Sequence, residues 1–247
     1  MAGIRAEHWI RRYESVKLAT TRPFEIIIIS PYPLPPPLQD LKEIKYVKDY
    51  GSPVRCVNIG VSVAEGKYFV PCADDAVSAP GSLDLLVDNF NAMPPNEKNV
   101  VTAKYTEAGN YQADSYYLIN NSTWTSSPHV PNDWYIFNEM IMNTSYFIEM
   151  GGWDTAFEGP ALASTDFAIR CYRDGAVVKF LSAELSHFDH EGNVGGTHAP
   201  IYNAFVEWDS VLYKKIHDSP DSLSRTRIDF NGWKKAPTVW ERRFGAS

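Results

Sequence analysis

Gly66-Lys67-Tyr68-Phe69-Val70-Pro71-Cys72-Ala73-Asp74-Asp75-Ala76 is an apolar run that ends on two adjacent carboxylates. Ser78-Ala79-Pro80-Gly81 follows as a turn, and Leu83, Leu86, Val87 and Phe90 then recur at helical spacing. The stretch reads as a buried strand, an acidic tip and a helix. Ligands of open α/β sheets sit just outside the carboxyl ends of the strands. Two acids placed there suit a hard divalent cation that also holds phosphate oxygens. They equally suit a turn or a helix cap, positions that Asp favours.

Outward from this stretch, strands and helices alternate. Residues 7–18 form an amphipathic pattern with Trp9, Ile10, Tyr13 and Val16 on one face. Residues 24–29 are a β-branched run apolar enough for a central strand of a parallel sheet. The proline-rich residues 30–37 cannot pair as a central strand and read as an extended surface loop. Residues 44–47 are a second strand. Residues 54–63 carry Arg55, Asn58 and Gly60 toward a helix end at Gly66. A strand is expected at 100–105. Residues 106–133 are rich in Asn, Ser, Thr and aromatics, including Tyr111, Tyr116, Tyr117 and Trp124. They read as a binding surface or as an excursion packed by its own rings.

Gly151-Gly152-Trp153-Asp154 breaks the apolar segment 137–150. A helix over 166–173, a strand over 177–181 and a ligand-rich Ser186-His187-Phe188-Asp189-His190-Glu191-Gly192 follow. A last helix spans 200–217, and a basic tail beyond it carries Arg225, Arg227, Arg242 and Arg243.

The chain has 247 residues, 44% of them hydrophobic, which supports a large core. A net charge of −7 argues against nonspecific nucleic-acid binding. No segment approaches the ~20 apolar residues of a membrane span. Three separated cysteines, Cys56, Cys72 and Cys171, indicate neither a disulfide framework nor a zinc knuckle, and a reduced, cytoplasmic protein is the simplest expectation.

Several features, in this order, resemble family 2 glycosyltransferases. They are the run at 25–29, Arg55-x-x-Asn58-x-Gly60, Ala64-x-Gly66-x-Tyr68, Asp74-Asp75 with Pro80 beyond, Gly151-Gly152-Trp153-Asp154, and Asp166 with Arg170 one turn on. The resemblance covers about residues 7 to 192. It implies a GT-A-like α/β fold, a single domain with a mainly parallel central sheet flanked by helices. That domain would cover 1–217, with a nucleotide-sugar half to about 92 and an acceptor half from 93, and 218–247 as a C-terminal extension. It further implies a nucleotide diphosphate sugar donor, a glycan or other hydroxyl acceptor, and a Mn or Mg cation. By the same resemblance Asp75 is a metal ligand, Asp74 lies against the ribose or sugar, and Arg55 and Asn58 line the nucleotide pocket. Asp154 lies where donor and acceptor meet, and His187 is a third metal ligand.

That chemistry needs a cation against the departing diphosphate and a base for the acceptor hydroxyl. Asp166 is the candidate base, with Glu158 as the alternative, and an inverting reaction is expected. The chain departs from the family in three places. It enters its first helix almost at once, so the usual first strand is either missing or replaced by another segment. Ala163 and Ser164 stand where many members have Glu-Asp, and Ser30 stands where a base-reading Asp is common. These departures motivate the rival reading, a non-catalytic nucleotide-sugar or carbohydrate-binding protein on the same fold.

Overall fold

Four consecutive isoleucines, whose branched side chains favour extended backbone, make β1 (Ile26–Ser30). It runs parallel to β2 (Ile44–Lys48), with Ile26 opposite Ile44 and Ser30 opposite Lys48. The computed structural model of the chain describes residues 1–107, 110–111, 118–119, 123–188 and 196–245. Tyr116, Tyr117 and the expected ligands Asp189, His190 and Glu191 lie outside these residues. The opposite edge of β1 is paired with residues 1–3. Gly3 N–H donates to the Ile29 carbonyl at 2.8 Å, and Ile29 N–H donates to that of Met1 at 2.9 Å. Of the two alternatives for the first strand, replacement holds: this short parallel segment takes its place.

Helix α1 (Trp9–Ala19) buries Trp9, Tyr13 and Val16, one face at i, i+4 and i+7. Ile10, expected on that face, is exposed because it is one step of about 100° from Trp9. The proline-rich loop closes in a single helical turn, α2 (Pro36–Gln39), whose Pro36 sits in the first turn, where a missing N–H costs nothing. Ser52 caps α3 (Pro53–Ser62), whose Cys56 and Ile59 pack on Ile29.

The decisive stretch does not form one strand. β3 (Tyr68–Phe69) ends before Pro71, which has no N–H to offer a ladder. Asp74 and Asp75 occupy a turn, β4 (Ala76–Ser78) follows, and α4 (Ser82–Asn91) completes the unit. Gly81 precedes α4 at φ 73°, a conformation glycine adopts without steric cost.

The larger sheet adds β5 (Asn99–Glu107), β6 (Asn110–Tyr111), β7 (Met140–Asn143) and β8 (Val177–Phe188). Its order is β3-β7-β5-β8-β4, with β6 beside β5. The expectation of one mainly parallel sheet needs correction. Among the described residues there are two sheets; of the ladders between named strands β1–β2 and β5–β8 are parallel, and the remaining, shorter ones are antiparallel. β8 also continues seven residues past the expected 181, following β5 through a register shift around Lys104.

Alternation along β5 and β7 divides the core. Val101 and Ile141 face Leu86 and Phe90 of α4. Val100 and Met142 face the other way, toward Phe147 of α5 (Thr144–Glu149) and Phe167 and Ile169 of α6 (Pro160–Arg173). The expected last helix is α7 (Ala199–Ala204) and α8 (Ser210–His217), joined without a break by one wider π turn, Phe205–Asp209. No helix among the described residues is long and apolar enough to cross a membrane.

The basic tail packs back on the body while several of its side chains stay exposed. It returns across the body and ends in α9 (Glu241–Phe244). Ile228 N–H donates to the Met150 carbonyl at 3.4 Å, and Trp240 N–H donates to that of Tyr50 at 2.8 Å. Arg227 pairs with Glu149 and Asp174, and Arg242 with Glu158 and Glu207. Gly151 and Gly152 turn sharply beneath this strap, at φ 89° and 68°. A Cβ on Gly151 would overlap the Ile228 carbonyl. Gly151→Ala is therefore expected to lose about 1–3 kcal/mol from the left-handed backbone alone. Added sensitivity of the strap to limited proteolysis, read beside a urea unfolding curve, checks this.

Candidate active site

The carboxyl end of β1, the acidic turn and the start of α6 surround a cavity of about 490 Å³. Its wall includes Ile29, Asp74, Asp75, Glu139 and Ser164, and Trp240 from the strap closes one side. This is the edge of the sheet at which α/β proteins bind ligands.

Asp74 is 2% exposed and fully engaged. Its Oδ2 accepts the N–H groups of Ile4 and Arg5 at 2.6 and 2.7 Å, and its Oδ1 accepts Arg5 Nη1–H at 2.5 Å. The same Nη1 lies 3.1 Å from Asp75 Oδ2, and His198 Nε2 lies 3.6 Å from that oxygen. Asp75 Oδ2 is nevertheless buried without accepting a hydrogen bond. Burial pushes the Asp75 carboxyl up, but His198 and Arg5 outweigh it and hold the group below its usual range.

The expected metal set does not assemble. His187 is exposed on β8, opposite Val77, and the imidazole beside Asp75 is that of His198. Asp74 is already occupied by donors, and a guanidinium lies between the two carboxylates. Among the described residues no group of three or more His, Cys, Asp or Glu side chains is placed to hold a metal ion. The donors present do not fit the expected Mn or Mg.

Asp166 also has a different place from the one expected. α6 begins at Pro160, so Asp166 lies well inside the helix and is no cap. Ser164 faces the cavity and donates to Asn138 Oδ1 at 2.8 Å. Two residues along a helix are about 200° apart, so Asp166 points into the core. It is 0% exposed and pairs with Arg170 Nε at 2.9 Å, His217 Nε2 at 3.1 Å and Arg225 Nη1. Burial raises its pKa, and Arg170 and Arg225 more than reverse this, holding the carboxyl far below its usual range. A base must reach its proton and accept it; Asp166 does neither here. The alternative, Glu158, is held by Trp240 Nε1 at 2.7 Å and Arg242 Nε at 2.8 Å.

Asp154 pairs with Arg225 Nη2 at 2.5 Å and caps the Ala156 N–H at 2.9 Å. Asn58 donates to the Trp153 carbonyl at 2.7 Å and accepts its N–H at 3.0 Å, tying α3 to the glycine turn. Arg55 pairs with Asp49 at 2.9 Å and donates to the strap carbonyls of Trp233 and Ala236. Of these, Asp49 lines the cavity; Arg55, Asn58, Asp154 and Asp166 do not.

Three ionisable cavity residues escaped the sequence reading, Arg5, Glu139 and His198, and Arg243 figured there only as part of the basic tail. Glu139 did carry a signal, a lone carboxylate in the apolar run Ile136-Phe137-Asn138-Glu139-Met140-Ile141. It is 6% exposed, and burial pushes its pKa up to about 7, with the charge of Arg12 opposing only in part.

No protein-family model and no curated protein matches the sequence. The fold is similar to that of S. aureus TarS, at 11% identity and a TM-score of 0.54 over 92% of this chain and 50% of that one. It also resembles TarS 1–349, at 14% identity and TM-score 0.52 over 92% of this chain and 82% of that one. A third match is TarS 1–349 in complex with UDP, at 13% and 0.52, over 90% of this chain and 66% of that one. The chain thus spans half the length of the first of these. The architecture is a glycosyltransferase-like α/β fold.

Removing the Asp166 charge leaves Arg170 without its carboxylate in the interior and Arg225 with Asp154 alone, at a cost of about 3–5 kcal/mol. Because the folded pKa is depressed, that contribution is present above the ordinary Asp range and is lost only in stronger acid. Asp166→Asn should therefore be less stable than wild type in urea from pH 8 down to about 5. A catalytic base would instead lose turnover with stability unchanged.

Proposed function

We propose that this chain transfers a sugar from a nucleoside diphosphate donor, UDP-linked as the UDP complex of one similar structure suggests, to a hydroxyl acceptor such as a glycan. The observation that carries the reading is the cavity at the sheet edge, where Asp74, Asp75, Arg5 and Glu139 converge. It is supported by the likeness to TarS, a glycosyltransferase, one of whose structures is a UDP complex. In this reading the first half of the chain holds the donor and the second half the acceptor.

The transfer forms a bond between the acceptor oxygen and the sugar's anomeric carbon. The bond from that carbon to the diphosphate breaks, and its electron pair leaves with the phosphate oxygen. The acceptor's proton must go to a base on the attacking side. Glu139 takes that role in our reading: it faces the cavity, whereas Asp166 and Glu158 are held in ion pairs. Attack opposite the leaving group inverts the anomeric centre. With no fitting set of metal ligands among the described residues, no step is assigned to a divalent ion. The three cysteines are free, which suits work in a reducing compartment such as the cytoplasm.

The second reading, a sugar-nucleotide binder without turnover, is favoured by Ser164, which presents a hydroxyl to the cavity where the resembling family often has an acid. Incubation with UDP-glucose, UDP-galactose and UDP-N-acetylglucosamine over a panel of glycan acceptors, with UDP release as the readout, separates the two.

Glu139 makes a paired prediction. As a base with a pKa of about 7, it should give a kcat/KM that rises through that pH and levels above it. Glu139→Gln should lower kcat by about 10²–10⁴. An acid with a raised folded pKa loses stability as pH rises from its unfolded value to its folded one, and the penalty is constant above. At pH 8 the Gln variant should therefore melt no lower than wild type. Reduced turnover with a higher or equal Tm is the expected signature, and a lower Tm would make Glu139 a structural residue instead.

A further inference from the structure

Two arginines from opposite ends of the sequence converge on the acidic turn. Arg5 is 6% exposed, lines the cavity, and has an Nη2 that is buried without a hydrogen-bond partner. Arg243, on α9, lines the same cavity, and its Nε is likewise buried and unpartnered. Both bracket Thr197: Arg5 Nε donates to its hydroxyl at 3.0 Å, and Arg243 Nη2 donates to its carbonyl. Burial, and next the positive charge of Arg5, lower the Arg243 pKa, while Asp74 opposes them. Two guanidiniums that repel each other, with N–H groups left over and water largely excluded, are stabilised by an added anion.

A nucleotide-sugar enzyme of this fold needs positive charge against the diphosphate as it departs. A divalent ion supplies it only where carboxylates are free to coordinate, and here Arg5 occupies Asp74 and approaches Asp75. The protein's own cations stand where that charge is needed. Planar guanidiniums match phosphate oxygens with two parallel N–H bonds, and they remain charged throughout the reaction.

We infer that Arg5 and Arg243 form a diphosphate-binding cradle that replaces the divalent cation, so that donor binding and transfer proceed without metal. This rests on the nucleotide-sugar reading above. Asp74 and Asp75 then act as positioning residues: they fix the Arg5 guanidinium at the cavity wall.

The test is calorimetric titration of the full chain with UDP, GDP, ADP, CDP and dTDP, each in EDTA and each with Mn²⁺. At least one nucleotide is expected to bind with affinities in the two conditions within threefold of each other. Arg5→Gln and Arg243→Gln should each weaken it tenfold or more, with folding verified by circular dichroism. Arg243 lies on the strap, so its variant remains informative if Arg5→Gln does not fold. Freeing the carboxylates in Arg5→Gln should also make the residual binding respond to Mn²⁺. Binding that appears only with Mn²⁺, or is tenfold tighter with it in wild type, overturns the cradle and leaves the nucleotide-sugar reading standing. Metal-indifferent binding that survives both substitutions also overturns it. Failure of all five nucleotides in both conditions overturns the nucleotide-sugar reading together with the cradle.

Discussion

The carboxylate of Asp74 holds the site together. A carboxylate removed from water is costly unless hydrogen bonds replace its hydration. Here the Ile4 and Arg5 amides and the Arg5 guanidinium do so, at 2.5 to 2.7 Å. The consequence reaches beyond the turn. Those amides directly follow the residues that pair with β1, so the acid fixes where that short segment ends and in which direction Arg5 leaves it. One interaction thereby joins the smaller sheet to the acidic turn and places a fixed positive charge on the cavity wall.

Asp166 shows what a similar carboxylate does when it faces the core. Through Arg170 it reaches the carbonyls of Met150 and Gly152; through His217 it reaches α8; through Arg225 it reaches the strap and Asp154. A buried network of this kind adds little net stability over an apolar core, but each member becomes costly to lose. It fixes the glycine turn, the end of α8 and the course of the strap relative to α6. The strap in turn supplies Trp240 and Arg243 to the cavity, so the network acts on the site by shaping its wall.

Local sequence carried the elements whose chemistry is local. The isoleucine run, the capped α3, the acidic turn and α4 are all legible from side-chain period, branching and turn residues. Other features depended on distant partners. β8 runs past residue 181 because β5 lies beside it, which no residue of β8 announces. The helix expected from 166 begins at Pro160. Asp166 is the candidate base through the resemblance; the phase of α6, with 164 and 166 about 200° apart, turns Ser164 and not Asp166 to the cavity. His187 and His198 could not be separated by composition, because strand alternation and the path of the chain after β8 determine which one approaches Asp75. Arg5 gave no local signal and Arg243 only that of a basic tail: their meeting is a product of the whole fold.

The cavity's electrostatics separate its acids by environment. Asp75 is held down by His198 and Arg5 and stays ionised through the neutral range. Burial raises Glu139 to about 7, with the charge of Arg12 and a hydrogen bond from Ser186 opposing only in part. Two carboxyl groups whose surroundings push their pKa values apart can take different roles in one reaction, one as fixed charge and one as proton acceptor. The same separation explains why arginine suits this site. A permanent cation beside Asp75 helps keep that acid charged, yet stays out of the proton inventory. In the proposed transfer the acceptor's proton goes to Glu139, a carboxyl of the cavity whose pKa burial raises to about 7.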